Sequence, residues 1–261
     1  MNPLENTKVR GSIAIMLLAL AGSLSAPLAL ADSFDAPQEK KIVDLGPSPY
    51  APAGRIRLSC FFYSGFLVKE YNDEGLKGSE WLAIAPSQAE PRPVCSLNHA
   101  QGERIIESRE WRGYFKGAKG NLVFFYAADG TDGGMPFVVY DSRSGTKIFE
   151  DSTFDAKWLH PDVEAAGFNE PQFFVSQQKQ VSVRYLRVVE ADCDLHKEGA
   201  ACWEQVRKKL KLKTTQAPVC TRYKDITSRW VSAIAYPVEV SFSPKPVRNT
   251  TSGPVMCWPT D

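Results

Sequence analysis

The chain has 261 residues, with 31 Lys plus Arg against 30 Asp plus Glu and a hydrophobic fraction of 43%. This composition excludes a disordered chain, a collagen-like repeat, a coiled coil and a broadly basic nucleic-acid binder. Three histidines, His99, His160 and His196, leave little for a histidine-rich metal hydrolase to draw on.

Residues 1–31 read as a secretory signal peptide. Lys8 and Arg10 supply a positive n-region, residues 13–24 an apolar run, and Ala29-Leu30-Ala31 a small-x-small cleavage site. The run falls short of the roughly 20 residues that span a bilayer, and Pro27 interrupts it. Cleavage after Ala31 brings basic and acidic residues into balance, so a partner is found through local patches and not by long-range steering. The expected location is periplasmic or secreted, with no stable membrane insertion after cleavage.

Residues 32–54, with Pro37, Pro47, Pro49 and Pro52, read as a Pro-rich extended lead-in, and 55–261 as a single β-rich domain. Period-2 alternation predicts strands over 55–63 and 65–71, a Gly- and charge-rich turn over 72–78, and a strand over 80–85. Pro86, Pro91 and Pro93 mark a loop ahead of Cys95. Five strands are then expected, over 104–108, 111–116, 121–127, 136–140 and 146–150. Links that short imply antiparallel neighbours in one meander. Leu122-Val123-Phe124-Phe125-Tyr126 is apolar on both faces, which suits a central strand.

A second hairpin is predicted over 173–176 and 181–190, with Val181, Val183, Tyr185 and Arg187 on one face. Residues 200–211 have helical spacing, placing Cys202, Val206 and Leu210 one turn apart with Trp203 beside them. Residues 223–232 are a second helix candidate, with Ile226 and Trp230 on one side. A closing strand over 234–243 contains Pro237, which assigns it to an edge or a bulge. The fold class is therefore all-β, mainly antiparallel meanders arranged as a sandwich or propeller-like, with a short helical insert near the C-terminus. Residues 138–147, where Asp141 and Gly145 bracket the turn, resemble the inner hairpin of β-propeller blades. No repeat at a blade-like period accompanies them, and a sandwich or open barrel accounts for the same residues.

All six cysteines follow the cleavage site, and an even number in an exported chain favours disulfides. None lies in a Cys-x-x-Cys pair. Many pairings are open to six cysteines; we expect the sequential set, Cys60 with Cys95, Cys193 with Cys202 and Cys220 with Cys257. The middle pair follows most directly, because the intervening segment contains Gly199 and can turn back.

The chain lacks a Gly-x-Ser-x-Gly elbow, a His-Glu-x-x-His pair, a phosphate-binding loop and a dinucleotide fingerprint, so no cofactor is expected and catalytic residues are unassigned. His160-Pro161-Asp162 is the only ligand-like spacing around a histidine. Asp129 and Asp132 lie in an oxygen- and glycine-rich loop that could hold calcium, although the spacing is not that of an EF-hand and a hairpin turn explains the same residues. Glu107, Glu110, Asp141, Glu150 and Asp151 are the acids available for a carboxylate pair. Arg207, Lys208, Lys209, Lys211 and Lys213 form a cationic cluster suited to an acidic partner or to the helix dipole. Trp111 and Tyr114 offer a stacking surface. The expected function is binding of a protein or glycan of the envelope, with no nucleic-acid partner. The alternatives are a carboxylate-dependent polysaccharide hydrolase and an inhibitor or immunity-type protein.

Overall fold

Alternating apolar and polar residues build two antiparallel sheets, seen in a computed structural model that describes residues 33–87, 93–155, 171–221 and 231–260. The signal segment, His160 and Asp162, and nearly all of the 223–232 helix candidate lie outside the described residues. The first sheet is a meander of β1 (Glu39–Pro47), β2 (Arg55–Phe62), β3 (Phe66–Asp73), β4 (Trp81–Pro86) and β5 (Arg104–Glu107) in that order. The second contains β6 (Gly113–Lys119), β7 (Leu122–Ala127), β8 (Gly134–Asp141), β9 (Thr146–Phe154), β10 (Gln172–Val175), β11 (Val181–Glu190), β12 (Ser232–Ser241), β13 (Val247–Thr250) and β14 (Met256–Pro259). Its main path runs β13-β12-β11-β9-β8-β7-β6, with β10 on β11 and β14 on β12. Helices α1 (Leu195–Glu198) and α2 (Ala200–Leu210) fall between β11 and β12.

The two-faced sequence of β7 explains the layering. Val123 and Phe125 join Val138 and Tyr140 against Phe66, Val68, Leu82, Ile84 and Ile106 of the first sheet, forming the core between the layers. Leu122 and Phe124 face the other way, into a second core with Phe137, Tyr185, Ile234 and Tyr236, closed by Cys202, Trp203 and Val206 of α2. That face is concave. Phe242, at the end of β12, brings its ring within 6.3 Å of Phe124 on β7 and 5.7 Å of Phe149 on β9, although a flat sheet would hold these strands about 10 Å or more apart. The molecule is a sandwich whose larger sheet is strongly curled.

Three expectations need correction. The predicted meander over 104–150 is divided: β5 completes the first sheet, and β6 to β9 belong to the second. The chain changes layer at Ser108–Arg112, where the amides of Glu110 and Trp111 both donate to Glu107 O in a tight turn. The Pro-rich lead-in contains a nine-residue strand, β1, largely exposed and paired to β2 along one side. An edge strand needs a backbone ladder more than an apolar face, so its composition concealed it. Finally, β12 is interior, not an edge. β14 pairs with Ser232–Ala235 and β13 with Val238–Ser241, leaving a gap at Pro237. Pro237 O accepts from Thr251 N on that outer side, so the missing N–H also points into the gap, where no ladder bond is lost.

The disulfides are the sequential set, Cys60–Cys95, Cys193–Cys202 and Cys220–Cys257. The middle one staples α2 to the end of β11 across a separation of nine residues. Replacing both Cys193 and Cys202 with alanine is expected to cost about 2–3 kcal/mol through released loop-closure entropy. Chemical denaturation reads this directly. No loss would show that packing of Trp203 and Val206 alone fixes the helix.

Candidate functional site

Arg187 is the charged residue that shares a face with buried Val183 and Tyr185 on β11, and a cation in that position requires a counter-charge. Asp151 of β9 supplies it. Its carboxylate, 4% exposed, accepts from Arg187 Nε at 2.7 Å, from Tyr185 Oη at 2.7 Å and from Arg248 Nη1 of β13 at 2.6 Å. Arg187 Nη1 in turn donates to Tyr236 Oη at 2.7 Å. Burial works against the Arg187 charge, but Asp151 and the Tyr236 hydroxyl outweigh it and raise its pKa. Burial, reinforced by Asp151, pushes the Tyr185 phenol well above its ordinary range. β11 and β12 separate β9 from β13, so the Asp151–Arg248 pair ties the curled sheet across its concave face.

The other strand-segment acids are also engaged. Glu107 pairs with Arg109, Asp141 with Arg143 and Glu150 with Lys147. Glu110 receives Arg104 Nη2 at 2.5 Å and Tyr140 Oη at 2.9 Å. Burial first, and Glu110 second, raise the Tyr140 pKa. These carboxylates act as acceptors for structural donors.

The turn before β8 brings together a different pair. Asp132, at φ +52°, is hydrogen-bonded to Glu190 at the end of β11, while its backbone O accepts from Trp258 Nε1 at 2.9 Å. That hydrogen bond, then burial and the neighbouring charge, raise the Glu190 pKa. Glu190 also lines a small depression with Asp192, Gln205, Val206 and Lys209. Asp129, the other calcium candidate, instead pairs with Lys77. Among the described residues, no three His, Cys, Asp or Glu side chains are grouped to hold a metal.

The partner-binding candidates divide. Arg207 and Lys208 pair with Glu204, and Lys209 reaches Asp192 at 2.6 Å. Lys211, a left-handed C-cap, and Lys213 are exposed beyond the helix end. Tyr114 Oη accepts from Gly78 N at 2.8 Å, and Trp111 packs against the inter-sheet core. Both aromatics therefore serve the fold. His99 lies against Trp81 and Glu103, and His196 is exposed at the short helix α1.

Comparison with known proteins yields no match: no family model, curated protein or solved structure is significantly similar to this chain. The residues themselves carry the functional argument.

One buried acid gives a pH signature. Glu70 of β3 accepts from Phe115 N of β6 at 2.7 Å, bridging the layers. Burial raises its pKa, against the opposing pull of Phe115 N–H and Lys40. An acid raised on folding binds its proton more tightly in the native state, so it favours folding at low pH and loses that advantage as pH climbs through the raised value. Glu70→Gln keeps an acceptor for Phe115 and removes the titration. It is expected to match the native protein near pH 4 and to be the more stable at pH 7, as read by Tm across that interval.

Proposed function

We propose that the protein is exported to an oxidising compartment, periplasmic or secreted, and works there by binding a component of the envelope. The engagement of all five nominated acids by structural donors carries this reading. An acid with cations and hydroxyls on its oxygens has little basicity for proton transfer. Three disulfides accord with an oxidising compartment. Among the described residues, no helix is long and apolar enough to cross a membrane.

The Asp132–Glu190 pair favours a second reading, hydrolysis by a carboxylate dyad. Direct hydrogen bonding, however, leaves no room between the two acids for a scissile glycosidic bond, which needs a separation of about 5–10 Å. Crosslinking the mature protein in its own envelope, followed by identification of the captured species, separates the two. Enrichment of one specific component supports binding. Absence of specific capture, together with hydrolysis of wall material that Glu190→Gln abolishes, would establish the dyad instead.

A further inference from the structure

Three segments of the chain, residues 171–189, 205–221 and 240–260, contain ten cations and no acid. Parts of all three meet at one end of the curled sheet. Val175 pairs with Val181, Ser182 with Ser241, and Ser241 with Val247, so the β10–β11 and β12–β13 turns lie side by side. Phe242 N donates to Val181 O between them. The first turn presents Lys179, at φ +59°, and the second presents Lys245; both are exposed.

The end of α2 joins the same rim. Thr250 Oγ1 of β13 lies 3.2 Å from Lys211 O, and Arg248 is two residues away on the same face of that strand. Lys211 thus stands beside β13, with exposed Lys213 two residues further along the chain. Among the described residues, Lys179, Lys211, Lys213 and Lys245 form no ion pair. The carboxylates that reach this region are matched by guanidiniums, Asp151 by Arg187 and Arg248 and Glu239 by Arg184.

Apolar groups sit among these charges. Val175 is 46% exposed and Val247 50%, with Pro244 and Pro246 flanking Lys245. The acids cluster at the far end, where β11 finishes and β12 starts: Asp132, Glu190 and Asp192.

We infer that this two-hairpin rim, with the C-terminal end of α2, is a docking face for an anionic lipid bilayer surface. The inference rests on the binding reading above and names the component bound. A small anion requires donors that converge on one point, whereas these lysines project from a turn, a second turn and a helix end. Lysines interleaved with exposed valines and prolines at hairpin tips match a charged plane with an apolar interior.

The test is flotation of the mature protein with vesicles of mixed phosphatidylglycerol and phosphatidylcholine, against phosphatidylcholine alone, at low and at physiological salt. Partition onto the mixed vesicles only, weakening with salt, is expected. Lys179→Gln, Lys213→Gln and Lys245→Gln should each reduce it about fivefold. Val247→Ser should also reduce it, leaving the salt dependence intact. Lys77→Gln, at the opposite end, should leave it unchanged. Equal partition onto both vesicle types, insensitivity to the three lysine variants, or binding to heparin without binding to vesicles would overturn the inference. Any of these results, alongside specific capture of an envelope protein or glycan, would leave the broader binding reading standing.

Discussion

Asp151→Ala is expected to lower the unfolding free energy by about 3–5 kcal/mol. The substitution removes the anion that, among the described residues, pairs with Arg187 and Arg248, and leaves a half-buried guanidinium beside Tyr185 and Tyr236 without compensation. For a domain of this size the midpoint of thermal unfolding should fall by on the order of 10 °C. The geometry orders the companion variants. Asp151→Asn keeps an acceptor for the Tyr185 hydroxyl and should lose less. Arg248→Met removes the more exposed partner and should cost about 1 kcal/mol, as a partly solvated pair does. A loss from Asp151→Ala no greater than that from Arg248→Met would show that the concave face admits enough water to solvate Arg187.

The second large effect is expected at Lys69, which is 1% exposed in the middle of β3. Its ammonium donates to Glu103 Oε2 at 3.0 Å and to Asn98 O at 2.8 Å; the Glu103 side chain is fully buried and also accepts from Ala100 N at 2.7 Å. Together with Cys60–Cys95, this pair fastens the segment ending at Glu103 to the outer face of the first sheet. Glu103→Ala should cost about 3–5 kcal/mol, because it strands a buried ammonium. The double variant Lys69→Met with Glu103→Leu should recover most of that, since removing both charges also removes their desolvation cost. Denaturant midpoints for Lys69→Met, Glu103→Leu and the double complete the cycle. A double variant no better than Glu103→Ala would mean that the hydrogen bonds to Asn98 and Ala100, and not the charges, hold the segment.

Strands with a strong apolar signal were legible in the sequence. The two-faced β7, the alternation of β11 and the spacing of Cys202 and Val206 each recur with nearly the expected bounds. Elements held by backbone pairing were not. β1, β13 and β14 are short or exposed, and their existence depends on the neighbour whose ladder they complete. For the same reason Pro237 pointed to an edge: one residue cannot reveal that two separate strands will share the far side of its own. The buried ionic groups left a trace that periodicity alone undervalues. Arg187 lies in phase with Val183 and Tyr185, and Lys69 follows Leu67 and Val68, each a charge where an apolar residue was due. Their partners, Asp151, Arg248 and Glu103, are distant in sequence, and no spacing joins them to the residues they meet. The cationic cluster was visible as a run, but only the fold separates its paired members from Lys211 and Lys213.

The exposed strand β1 has a consequence for how the protein resists self-association. β2 carries Leu58 and Cys60 in the core, and an uncovered β2 would present an apolar ladder ready to recruit another chain. β1 occupies that ladder and offers in its place Lys40, Lys41 and a bulge at Asp44 and Gly46, features that discourage further strands from adding. The proline-rich stretch ahead of the domain is thus a cap against fibrous growth. A fragment beginning at Arg55 is expected to aggregate under conditions in which one beginning ahead of Glu39 stays monodisperse, a difference that light scattering would register.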